Sequence, residues 1–232
     1  MARLREPWTV WPSLRALGRL GSEDHAHRMG GALAVELKAC GLRWDFAPVV
    51  DVDTNPENPV IADRSFGSDP ALVGRLSAAM VRGLQEGGVA ACAKHFPGHG
   101  DTDKDSHHDL PVATHPRSRL DEVELPPFRA AIQAGVASIM TAHVLLPELD
   151  ETLPATLSPR IVGRLLREEL KYARVVVSDD LEMKAVGKAW GAGEAAVLAA
   201  QAGCDLIPVC HSADAQVVGG IHPGKGGTVM DG

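Results

Sequence analysis

Apolar positions along the chain fall into two alternating patterns. Short runs at residues 42–52, 89–93, 136–142, 174–178 and 205–210, several rich in valine or alanine, predict five buried strands. In the first of them Phe46, Val49 and Val50 are the expected core positions. Between the runs, the pattern changes to helical spacing. Over residues 71–85, Leu72, Leu76, Met80 and Leu84 share one helical face, and Gly87-Gly88 ends the element. Ser22 reads as an N-cap, followed by Glu23 and Asp24 in the first turn, for a helix over residues 23–39 that stops near Gly41. Further helices are expected at 127–134, at 158–170, where Pro159 suits the first turn, and at 194–202. Residues 1–20 are rich in Arg, Trp and Pro and predict an irregular segment with at most one short helical turn.

Strands alternating with helices imply parallel βαβ units. Chemically active side chains recur just past the strand ends: Asp51 and Asp53, residues 94–107, His143, and Asp179. Both (β/α)8 barrels and doubly wound sheets place their sites there. No glycine-rich dinucleotide fingerprint is present, which favours the barrel. Five strands are three short of a closed barrel, so the expected fold is α/β, an incomplete (β/α)8 barrel spanning residues 1–211. Residues 212–232 carry Gly219-Gly220, Pro223-Gly224 and Gly226-Gly227 without an apolar face and predict a flexible tail.

Composition narrows the function classes. The 232 residues suffice for one domain with a sizeable core, and 45% are apolar. A net charge of −7 argues against nucleic-acid binding. No apolar run approaches the roughly 18 residues of a membrane span, and the first residues show no apolar signal core. Cys40, Cys92, Cys204 and Cys210 show no Cys-x-x-Cys spacing, so reduced thiols and a cytoplasmic location are expected.

Candidate chemistry is densest at residues 94–108, where three carboxylates, four histidines and two lysines occupy fifteen positions. Asp105 and His107 stand two apart, so in extended chain both side chains point the same way. The carboxylate could then fix the imidazole tautomer and leave the other nitrogen to move a proton near neutral pH. His99 and His108 read as satisfied loop histidines, and His143 as a pocket-lining candidate. Asp179 follows a valine-rich strand; from local sequence it serves equally well as an N-cap, as does Asp180. Lys94 could be a solvated lysine at a strand end, and Arg64 a partner of Asp63. A metal site built from His95, His99, Asp101, Asp105 and His107 is the rival chemistry, weakened because Pro97, Gly98 and Gly100 oppose the helix that His-x-x-x-His spacing needs.

The string KHFPGHGDTDKDSHHDLP from Lys94 onward resembles the signature of bacterial β-N-acetylhexosaminidases of glycoside hydrolase family 3. The similarity extends to Phe46-Ala-Pro-Val-Val-Asp-Val-Asp, Asn58-Pro-Val-Ile, Arg64-Ser-Phe-Gly and Ser178-Asp-Asp-Leu-Glu-Met, and covers most of residues 3–210. It implies a retaining glycosidase with Asp179 as nucleophile, His107 as general acid/base and Asp105 assisting it. Arg64, Lys94 and His95 would bind the sugar. No cofactor or metal is implied. The implied substrates are small carbohydrates ending in β-linked N-acetylglucosamine, such as muropeptides in cell-wall recycling. An Asp-x-Glu-Gly-Gly-Arg segment expected upstream in the family has no match in residues 1–20, so a non-catalytic fragment of such an enzyme is the alternative.

Overall fold

The computed structural model describes residues 8–102 and 110–210. Three strands, β1 (Cys92–Phe96), β2 (Ser138–Thr141) and β3 (Val175–Val177), form a parallel sheet in chain order. Single parallel bridges extend it on both sides: Trp44 to Ala90 and Val49 to Lys94 beyond β1, and Leu206 to Val177 beyond β3. The five expected runs therefore lie side by side, but the outer two make isolated bridges and not full strands. Each of those two contains a proline, Pro48 or Pro208, which has no amide to donate to a ladder. Phe46, expected in the core, is 39% exposed on the outer run beside β1. Among the described residues, no further strand flanks that run.

β1 begins three residues later than the apolar run indicated, so Lys94 and His95 belong to the strand itself. All five of its residues are buried. A burial criterion based on apolar residues stops short at the first lysine; the backbone pairing does not.

Helices join successive strands, as parallel connection requires. The chain runs from α1 (Leu14–Leu20) and α2 (Glu23–Ala39) to α3 (Pro70–Glu86) before β1. Between β1 and β2 lies α4 (Leu125–Gln133), entered through a π-type turn at Leu120–Glu124. A π-type helix at Arg160–Glu169 precedes β3, and α5 (Lys184–Gly187) and α6 (Gly191–Ala202) follow it. Ser22 caps α2 as expected, its hydroxyl accepting from His25 N at 3.3 Å. The helix α1 corrects the expected irregular start: Ser13 caps it, and Gly21 ends it at φ +63°. It buries only Leu17 and Gly18, too few positions for a period to show in the sequence. Arg15 on this helix pairs with Asp53 and donates to the Ala62 carbonyl (3.0 Å), tying α1 to the loop after the first run.

Helices α2 and α3 approach at backbone distance. A Cβ on Gly83 would lie 2.0 Å from the His27 carbonyl oxygen, and one on Gly30 would lie 2.6 Å from that of Met80. Alanine favours helix over glycine by ~1 kcal/mol, but the clash is with backbone, which cannot yield cheaply. Gly83→Ala is therefore expected to lower stability by a net ~1–3 kcal/mol, read as a lower urea midpoint at unchanged slope.

Alternation along the strands divides the core. Ala93, Ile139 and Val176 join the large cluster shared with the helices, whereas Cys92, Met140 and Val177 form a second cluster with Trp44 packed on it. Register aligns Lys94 with Met140 and Met140 with Val177. Lys94 thus shares its face with Cys92, and Asp179, two residues past Val177, continues the same face at the carboxyl end. Among the described residues, no helix is long and apolar enough to cross a membrane.

Candidate active site

The carboxyl ends of the first run, β1 and β3 converge on one buried polar cluster. Its centre is Asp51, at the end of the first run and 1% exposed. The carboxylate accepts from His95 Nδ1 at 2.8 Å, His95 N at 3.2 Å and His99 N at 2.8 Å. Burial alone would raise its pKa, but the charge and hydrogen bonds of His95 and His99 outweigh burial and hold it below the usual value. An ionised Asp51 leaves the proton of a neutral His95 ring on Nδ1, so Nε2 is the remaining acceptor.

Lys94 is buried next to His95 in β1. Burial, then the nearby Arg64 charge, lowers its pKa, while Cys92, Asp179 and Asp45 act in the opposite direction. Asp179 behaves conversely. Burial raises its pKa, but His95, His143, the Asp180 amide and Lys94 together bring it below 3.8. The result is a carboxylate ionised at neutral pH at the end of β3, near the Lys94 ammonium and the His95 and His143 rings. Its Oδ1 accepts from Asp180 N at 2.9 Å. The two aspartates divide their work: Asp180 Oδ1 accepts from Glu182 N (3.1 Å) and Cys210 N (3.2 Å), a local turn role. The next helix starts at Lys184 with Met183 as N-cap, so neither aspartate caps it.

Arg64 stands in a short 3-10 turn, Ala62–Arg64. Its Nη1 donates to Val60 O at 3.1 Å, whereas Asp63 is exposed. Arg64 Nε is buried without a hydrogen-bond partner among the described residues, a donor left open in a polar site. The Lys94, His95 and Asp179 groups are thus brought together, and Arg64 acts on Lys94 at the rim. Asp105 and His107 lie outside the described residues, as do His108 and the 212–232 tail.

Several residues given no catalytic or sugar-binding role in the sequence hold this site. Asn58 donates to His99 O (2.8 Å) and Thr102 Oγ1 (3.3 Å) and accepts from Val60 N (2.9 Å) and Ile61 N (2.8 Å). One buried amide therefore joins the Arg64 turn to the loop after β1. Asn58→Ala orphans those groups and is expected to cost ~2–4 kcal/mol, seen as a fall in Tm, with Asn58→Asp intermediate because it keeps the acceptors. Gly100 passes directly under the first run: a Cβ there would sit 1.8 Å from Val52 O. Asp101 accepts from Thr54 Oγ1 (2.7 Å) and pairs with His115 Nε2 (2.8 Å). His99, expected to be a satisfied loop histidine, is buried with Nδ1 2.5 Å from Thr102 Oγ1, and burial lowers its pKa to about 4. The rival metal set keeps only His95, His99 and Asp101 among the described residues. Two of these have ring nitrogens engaged by Asp51 and Thr102, and no group of three candidate ligands is formed there.

An ionised carboxylate, a buried lysine and an open arginine donor thus stand at the strand ends of a βαβ fold. The model of the glycosyl hydrolase family 3 N-terminal domain matches residues 1–225, and the chain belongs to that family. It is 39% identical over 219 residues to the beta-hexosaminidase of Neisseria meningitidis serogroup C (strain 053442), covering 91% of this chain and 60% of that protein. The chain thus spans about 60% of the length of the curated relatives it matches. Among solved structures, a family 3 beta-N-acetylglucosaminidase from Paenibacillus sp. str. FPU-7 superposes with a TM-score of 0.92 at 50% identity, covering 94% of this chain and 41% of that one. NagZ from Neisseria gonorrhoeae in complex with N-trifluoroacetyl-D-glucosamine gives a TM-score of 0.83 at 37% identity, covering 93% and 63%.

Proposed function

We propose that this chain carries the catalytic face of a retaining β-N-acetylhexosaminidase that removes terminal β-linked N-acetylglucosamine, of the cytoplasmic muropeptide-recycling type. The observation that carries this is Asp179: an ionised carboxylate at the end of β3, on the sheet face of Lys94 and beside His95. The five parallel segments in chain order, with helices between them, support assigning them to a (β/α)8 barrel of which residues 1–211 are part.

In the proposed reaction Asp179 attacks the anomeric carbon from below the ring. His107, oriented by Asp105, protonates the departing glycosidic oxygen. The glycosyl-enzyme ester is then opened by water, from which His107 takes the proton. Arg64 Nε and Lys94 supply donors for sugar hydroxyls, and Asp51 fixes the His95 ring so that Nε2 can accept one. Retention follows from two inversions at one carbon. No cofactor enters these steps.

Proton NMR during hydrolysis of an aryl β-N-acetylglucosaminide is expected to show the β anomer of the free sugar first, with the α anomer growing in by mutarotation. An α anomer formed first would rule out the covalent route. A folded chain with no turnover would instead favour the non-catalytic fragment, for which the 60% span is the supporting observation. Turnover lost to a chelator and restored by zinc would favour the metal reading.

A further inference from the structure

His143 has no part in the steps above, yet it is 1% exposed and sits at the end of the β2 segment, close enough to Asp179 for each to act on the other's charge. Its Nε2 lies 2.9 Å from the Asp180 carbonyl oxygen, and its Nδ1 lies 2.9 Å from Thr156 Oγ1. A carbonyl can only accept, so the ring proton must be on Nε2. In the neutral ring, which burial favours, Nδ1 is then bare and needs a donor. Thr156 can give its single hydroxyl proton to Nδ1, because Thr141 Oγ1 lies 2.9 Å away to donate to Thr156 in turn. The Ala142 carbonyl, which that hydroxyl also reaches, already accepts from Thr156 N. Three buried side chains thus form one directed chain, from Thr141 through Thr156 and His143 to the backbone of Asp180.

A buried polar chain is costly unless every member is satisfied, and an aliphatic residue would fill the same space without that cost. What the imidazole adds is a donor aimed at one carbonyl. That carbonyl also accepts from Met183 N at 3.1 Å, and the amide of the same residue donates to Asp179 Oδ1. Asp180 is therefore gripped at both ends, and its orientation sets that of the Asp179 carboxylate. We propose that His143, as the Nε2–H tautomer that the Asp180 carbonyl requires and the Thr156 hydroxyl accommodates, is a positioning residue that holds the Asp180 peptide and through it the carboxylate of Asp179. This rests on Asp179 being the proposed nucleophile, but the clamp itself can be measured without turnover.

The test uses the full chain. A long-range nitrogen–proton spectrum of the unaltered protein at pH 7 is expected to show a neutral His143 ring protonated on Nε2; a Nδ1–H or charged ring overturns the proposal. His143→Phe, which fills the space without a donor, is expected to speed amide exchange at Asp180 and Leu181 by about 10-fold or more. His143→Gln, whose amide can donate near the position of Nε2, should bring exchange back to within a few-fold of the original. Unchanged exchange in His143→Phe, or equal acceleration in both variants, overturns the clamp. In catalysis, a misplaced carboxylate should lower kcat by about 100-fold in His143→Phe with KM little altered, and His143→Gln should recover most of it. A loss confined to KM contradicts a positioning role. If the unaltered chain hydrolyses no β-N-acetylglucosaminide, the proposed function fails, while the tautomer and exchange results still decide whether His143 clamps Asp180.

Discussion

Replacing Asp179 by alanine is expected to lower kcat on an aryl β-N-acetylglucosaminide by about 10⁴-fold or more, with the fold intact. The size follows from the role. Loss of a nucleophile removes the covalent route entirely, and no other described carboxylate continues the Lys94 face at the end of β3. The fold should survive because, among the described residues, the only hydrogen bond to that carboxylate comes from Asp180 N, in a corner that Glu182 N and Cys210 N also hold through the Asp180 side chain. Circular dichroism and Tm close to the parent's, together with lost turnover, is the expected pair of results. Asp180→Ala should reverse the pattern, with a modest loss of Tm and much of the turnover retained.

Asp51→Ala is expected to be the most damaging change to stability, at ~3–5 kcal/mol, because it strands three donors around a buried site. Activity should fall with it, since the same carboxylate orients His95. The acid limb carries a separate signature. The folded Asp51 carboxyl titrates below the ordinary value of 3.8. Its contribution to stability is therefore complete above about pH 3.8 and is lost as pH falls through the lower folded value. His99 acts over a higher window. Its folded pKa of about 4 lies below the ordinary 6.5, so the unfolded chain binds the extra proton and stability declines as pH drops from 6.5 toward 4. Chemical denaturation between pH 7 and 3 should show both declines in the parent. Asp51→Ala, already less stable at pH 7, should show a shallower lower decline, with the part owed to Asp179 remaining.

Much of this architecture is legible in the sequence because it depends on local patterns. The α3 stripe, the Ser22 cap and the five apolar runs are set by neighbours within a few residues, and the structure keeps them all in the expected order. Lys94, His95 and Asp179 stand out in the sequence as polar residues at the ends of apolar runs, and the structure brings the three together, the first two within β1 itself. What escaped depends on partners far away in the chain. Asn58 looks like one more loop amide until His99, forty-one residues later, packs against it. Thr156 becomes part of a proton-bonded chain only because His143 and Thr141 fold back onto it. Phe46 was assigned to the core from its type alone, whereas its exposure is set by whether another strand lies beside it. The limits of β1 were misplaced for a related reason: backbone pairing continues through polar residues once their side chains find partners such as Asp51.

Trapping the covalent intermediate tests the central claim most directly. A 2-fluoro glycoside with a good leaving group slows both steps but slows breakdown of the ester more, so the label accumulates on the nucleophile. Peptide mass spectrometry of the inactivated chain is expected to find one sugar, on Asp179. A label on Asp180, Asp51 or any other residue would contradict the assignment of Asp179 as the nucleophile.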